Sequence, residues 1–150
     1  MKLLITYDGS PCADAAINDL AAAGLPEHTE AKVLCVADVW PHMPAMYREA
    51  MVPGPSELSM TVMDTARRMA EQARSEADHL ARDAADRVRK SFPTWNVSAQ
   101  SIPDSPAHAI ILEAGQWNAD LVAVGSHGRG ALGRLFFGSV SQKVVKYAPC

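Results

Sequence analysis

Four short strand-like runs alternate with four helix-like segments along this chain, and no single motif restricts the fold as much as that alternation. The runs are KLLITY at residues 2–7, AKVLCVADVW at 31–40, WNVSAQSI at 95–102 and ADLVAVG at 119–125. The helix-like segments are PCADAAINDLAAAG, a stripe of Met63, Ala66, Ala70, Ala73, Ala77, Leu80 and Ala84, then AHAIILEAGQWN and SVSQKVVKYA. In each, apolar residues recur at three- and four-residue spacing. The second strand hardly alternates between apolar and polar positions, as expected of a strand covered on both faces. The pattern predicts an α/β fold: an open, mostly parallel, twisted sheet with helices on both faces and right-handed crossovers. A length of 150 residues makes this one domain, 1–150.

Local signals punctuate the pattern. Ser10 suits the N-cap of the first helix, Pro11 its first helical position, and Gly24 followed by Pro26 its end. Residues 41–59 hold four prolines, one glycine and three methionines without a period, and read as a long loop. The stripe after it ends near Phe92 and Pro93. Alanine dominates that stripe, which suits close packing on a sheet better than a coiled coil.

Composition excludes several classes of partner. Apolar residues make up 48% and charged residues 21%, with a net charge of -3, so neither nucleic acid nor an anionic membrane is expected. The start, MKLLITYDGS, lacks a signal-peptide core and a membrane span, which predicts a cytoplasmic protein. Cys12, Cys35 and Cys150 form no CxxC pair, and the five histidines are scattered singly, so no protein metal site is expected. Cys12, near a helix start, reads as an inert thiol before a redox sensor.

Ligands of such sheets bind beyond the carboxyl ends of the strands, where strand order reverses. Two loops suit that place: DGS after the first strand, and the run GSHGRGALGRLFFGS after the fourth. If the first and fourth strands are neighbours, the two loops lie side by side. The glycines of the second loop allow a ligand close to the main chain, and Ser139 suits a cap on the following helix. That helix start would favour an anion, with phosphate the obvious candidate. A flexible connection is the alternative reading of the same glycines. There is no GxxxxGK[ST], and YDGSPC supplies no GxGxxG.

At this point the chain resembles the universal stress protein family, in particular its ATP-binding branch. That branch carries GxxG, nine residues, then G(S/T); here Gly125 and Gly128 are followed by nine residues and then Gly138 and Ser139. The segments ITYDGSPCADAAI, VLCVADVW, DLVAVGSHGRG and GSVSQKVVKYAPC are also similar to the family's. The resemblance implies a Rossmann-like sheet of order 3-2-1-4-5 that binds ATP. Here the order becomes 3-2-1-4, because the sequence stops at Cys150 where a fifth strand usually follows. In many members that strand pairs across a homodimer interface, so the resemblance leaves a homodimer as a possible assembly with its usual interface open.

The resemblance also implies site residues. Thr6 and Asp8 would line the adenosine site, with Asp8 near the ribose, and Val36 would meet adenine through its main chain. Gly125, Ser126, His127, Gly128, Arg129, Gly130 and Ala131 would wrap ribose and phosphates. Gly138, Ser139, Val140 and Ser141 would receive the terminal phosphates. Mg2+ or Mn2+ would be held mainly by phosphate oxygens.

The sequence shows no Ser-His-Asp order, paired catalytic carboxylates or activated nucleophile, and His127 has no partner nearby in sequence. The expected function is therefore an ATP-binding stress-response or regulatory switch, at most a slow ATPase. One alternative is an interaction protein that needs no nucleotide and uses the methionine-rich loop. Another is an adenylating or ATP-pyrophosphatase-type enzyme, whose phosphate loop DGSPCAD matches only in part.

Overall fold

Leu3, Leu4 and Ile5 are each 0% exposed, so consecutive residues of one strand are shielded on opposite faces. That strand must lie inside a sheet with a layer of structure on either side. The computed structural model describes residues 1–38, 57–126 and 138–150, and only the backbone of residues 57–62. Its elements run β1 (Lys2–Thr6), α1 (Pro11–Asp19) with a 3-10 turn (Leu20–Ala22), β2 (Glu30–Ala37) and α2 (Glu57–Ser91). They continue as β3 (Asn96–Pro103), α3 (Pro106–Gln116), β4 (Leu121–Ala123) and α4 (Ser139–Tyr147).

The described residues form one four-stranded sheet of order β3-β2-β1-β4, with every pairing parallel. The α/β reading and the 3-2-1-4 order hold. Leu3, Ile5, Ala31 and Val33 face one layer, where Ile17 of α1 and Ala84, Ala85 and Val88 of α2 meet them. Leu4 and Leu34 face the other, against Ile110 and Ala114 of α3 and Val144 of α4. The period of two along β1 thus divides the core into two layers.

Alanine explains how α2 packs. Ala77, Ala81, Ala84 and Ala85 are buried, and their small side chains let the helix lie close to the sheet. From Ala73 to Ala84 the stripe is a sheet contact. At 35 residues α2 is about 50 Å long, against about 27 Å for an eight-residue strand, so it must overrun the sheet. Met63 and Met69 on its amino-terminal side are accordingly 61% and 39% exposed.

Several boundaries differ from the sequence reading, three of them by more than a residue at a loop or strand end. Residues 57–59, expected in the long loop, are the first turn of α2, and residues 41–56 lie outside the described residues. The second strand ends at Ala37. The fourth strand is only Leu121–Ala123, because its flanks are held otherwise. Asn118 has φ 53, Ala119 N–H closes α3 on Ala114 O at 2.9 Å, and Asp120 accepts the Lys2 N–H at 2.6 Å.

On the α3 side, the Lys32 ammonium meets the Glu113 carboxylate at 2.6 Å, with side chains 16% and 11% exposed. The Trp117 ring lies beneath that ammonium, 4.5 Å to its centroid. Neither charge is therefore buried alone, the arrangement a low-dielectric layer requires.

Candidate functional site

The end of β1 is fastened on every side. Thr6 is 7% exposed, and its Oγ1 donates to Ala123 O at 3.2 Å, tying β1 to the end of β4. Tyr7 N–H donates to Leu34 O at 2.9 Å, extending the link to β2. The chain then turns through Gly9, whose φ of 76 suits a residue without Cβ. Across that turn Asp8 Oδ1 accepts the Ser10 N–H at 3.0 Å. Ser10 Oγ accepts the Ala13 N–H at 3.2 Å and caps α1, with Pro11 next in line as expected.

Val36 stands near the carboxyl end of β2, in register with Ile102. Its side chain packs into the α3 and α4 layer. Leu34 turns its carbonyl toward β1, so by the period of two Val36 turns its main-chain groups to the same side, level with the space beyond β1.

The end of β4 comes against α1. A Cβ on Gly125 would lie 3.0 Å from both Ala13 N and Cys12 C, and 3.2 Å from Cys12 O. Gly125 is thus required by the approach of two backbones. The next residue closes a neck: Ser126 O accepts from Gly138 N–H at 2.7 Å and from Ser141 Oγ at 3.0 Å. Ser141 Oγ also lies 2.9 Å from Gly138 O, so its single proton is shared. The two ends of the glycine-rich segment are therefore clamped together at the carboxyl end of β4. His127, Gly128, Arg129, Gly130 and Ala131 lie outside the described residues.

The cap of α4 differs from expectation. Gly138, not Ser139, is the N-cap, with φ -63 and ψ 159, and Ser139 is the first helical residue. The reason is the neck: Ser126 holds Gly138 extended, and Gly138 O takes the first intrahelical bond from Gln142 N–H at 2.9 Å. Among the described residues no side chain caps this terminus. Ser139 is exposed, Val140 half-buried and Ser141 2% exposed.

Two helix starts therefore stand beside one another at the carboxyl ends of the paired strands β1 and β4. That of α1 is closed by Ser10, while the first-turn amides of α4 have no side-chain cap of that kind. The dipole at such a terminus favours an anionic group by about 0.3–1 kcal/mol, before direct hydrogen bonds.

One cluster was invisible in the sequence. Tyr7 Oη donates to Asp14 Oδ1 at 2.7 Å, and Arg87 Nη1, from α2, donates to the same oxygen and to Tyr7 Oη at 3.2 Å. The Arg87 and Tyr7 bonds hold the Asp14 carboxyl below its usual range. Partial burial and the Asp14 bond push the Tyr7 phenol up, and the Asp14 bond raises Arg87. Seventy-three positions separate Asp14 from Arg87, so no local spacing announces the pair. At the β3 edge, the His108 ring and the Ser105 N–H likewise lower the Asp104 carboxyl.

A groove of about 680 Å³ lies at the opposite end, lined by Met1, Lys2, Glu30, Asn96, Asn118 and Asp120 among others. It sits at the amino ends of the strands, away from the converging loops. Among the described residues no three His, Cys, Asp or Glu side chains cluster as metal ligands, and no helix is long and apolar enough to cross a membrane.

The family model for the universal stress protein family matches residues 1–150. The chain belongs to the universal stress protein family. A universal stress protein from Thermus aquaticus is 56% identical over 45 residues, covering 30% of this chain and 33% of that relative. A universal stress protein A homolog from Coxiella burnetii is 38% identical over 76 residues, covering 49% and 51%. These matches span about a third to a half of the curated relatives' length.

Solved universal stress protein structures share the fold. UspA from Lactobacillus plantarum superposes with a TM-score of 0.63 at 22% identity, covering 100% of this chain and 93% of that one. A family member from Arabidopsis thaliana, solved with AMP bound, gives 0.61 at 16%, covering 100% and 87%. A universal stress protein in complex with cAMP gives 0.58 at 20%, covering 99% and 92%.

Proposed function

We propose that this universal stress protein is an ATP-binding stress-response or regulatory protein that acts as a nucleotide-dependent switch. The observation that carries the reading is the α4 terminus, without a side-chain cap among the described residues, at the neck of the glycine-rich segment and beside the fastened end of β1. A triphosphate would lie at that terminus, with the Ser139, Val140 and Ser141 amides as donors, Gly138 holding the helix start through its bond to Ser126 O. Its ribose would lie toward Asp8 and its adenine toward the Val36 main chain. AMP and cAMP in the two related structures support an adenine nucleotide as the ligand class. Mg2+ or Mn2+ would be held mainly by phosphate oxygens, and the protein's own part is binding and orientation.

The test begins with the purified protein, denatured, and its released small molecules identified by mass spectrometry. Titration with ATP and Mg2+ follows by calorimetry. Released adenine nucleotide, or saturable ATP binding, is expected; the absence of both would sink the proposal. Gly128→Val is expected to weaken ATP at least tenfold by blocking the approach of the phosphates to the main chain. Multiple turnover that survives repurification would mark a slow ATPase instead of a passive switch.

A further inference from the structure

The end of β1 carries two proposed nucleotide residues, Thr6 and Asp8, with Tyr7 between them. Along a strand alternate side chains leave opposite faces, so Tyr7 turns toward the α1 and α2 layer, where it packs against the core. There its phenol is held twice: it donates to Asp14 in the first turn of α1 at 2.7 Å and accepts from Arg87 of α2 at 3.2 Å. The Arg87 guanidinium lies 6.0 Å from the ring centroid and also donates to Asp14.

We infer that Tyr7, Asp14 and Arg87 are positioning residues that aim the Asp8 carboxylate at the ribose of the bound nucleotide. This rests on the proposed function and goes beyond it by assigning ribose selection to three residues outside the site. Asp8 stands one peptide after Tyr7, and its Oδ1 accepts from Ser10, the cap of the helix that carries Asp14. The cluster therefore grips the β1–α1 turn on both sides, before it at Tyr7 and after it at Asp14. Arg87 fastens that grip to α2, an element that provides none of the proposed nucleotide contacts. The Arg87 and Asp14 side chains are each 41% exposed, so their ion pair adds little to stability. Its geometric effect is to fix the direction in which the turn presents Asp8.

The readout is selectivity for the ribose hydroxyls, which a purely structural role would not move. Dissociation constants for ATP and 2′,3′-dideoxy-ATP are measured for wild type, Tyr7→Phe, Arg87→Gln, Arg87→Lys and Asp8→Ala. Wild type is expected to prefer ATP by about tenfold, the range of a hydrogen bond to a charged group, and Asp8→Ala to lose that preference. Tyr7→Phe keeps the ring and Arg87→Gln is a partly exposed change. Both are expected to cut the preference about threefold or more while dideoxy-ATP binds within about twofold of wild type. Arg87→Lys is expected to restore part of the preference. Equal selectivity in wild type, Tyr7→Phe and Arg87→Gln overturns this inference and leaves the proposed function standing. If wild type binds neither nucleotide, the proposed function fails and the inference falls with it.

Discussion

At Gly125 a methyl group would press against two backbones. The nearest atoms, 3.0 Å from its would-be Cβ, belong to the backbone of Cys12 and Ala13, which cannot swing aside as a side chain can. Gly125→Ala is expected to destabilise the fold by about 1–3 kcal/mol, read as a lower midpoint in urea denaturation. The spacing of GxxG marked this residue as important, but for its nearness to phosphate. That it is a packing glycine became visible only once β4 was placed beside β1 and α1. Ser10 was legible because its chemistry is local, a hydroxyl bonding the amide three residues on, whereas the Asp8 bond to the Ser10 amide emerged only from the structure. Tyr7 and Arg87 were not legible, since eighty positions separate them and one residue of each type carries no periodic signal.

Among the elements, α4 makes the sharpest demand on the proposed function. Gly138 has extended backbone that any residue adopts, so Gly138→Asp introduces a cap without strain at φ -63. Its carboxylate would accept first-turn amides and change helix stability by only a few tenths of a kcal/mol. The same carboxylate would repel a phosphate from that place. ATP affinity is therefore expected to fall at least tenfold in calorimetry while the melting temperature is unchanged or slightly raised. An unaltered affinity would place the phosphates elsewhere. Helix α2 shows the limits of periodicity at this scale. Its alanine stripe announced a helix and a close contact, yet the same spacing continues through Met63, which the finite sheet leaves exposed. The pattern records which side chains share a face and not how far the opposite surface extends.

For the whole molecule, the two-layer architecture was legible because buried strands and amphipathic helices write their periods into the chain, whereas charge pairing between layers leaves no such trace. The Tyr7, Asp14 and Arg87 cluster joins β1, α1 and α2, so its ionisation bears on how these elements hold together. Asp14 has its folded pKa lowered by Arg87 and Tyr7. It therefore adds stability above the unfolded value of about 3.9, and that contribution is lost as pH falls through the folded pKa. Tyr7 has its folded pKa raised by partial burial and Asp14. Its contribution is present below about 10 and is lost as pH rises through the folded value. Because the Asp14 side chain is 41% exposed, water screens the pair, and Asp14→Asn is expected to cost at most about 1 kcal/mol at pH 7. Urea denaturation of both proteins from pH 7 to pH 2 should show that difference shrink toward zero with acidity. The lowered Asp104 carboxyl titrates in both proteins and cancels in the comparison. A difference that stays constant across the range would mean that Asp14 holds the helices through shape alone, with its charge adding nothing.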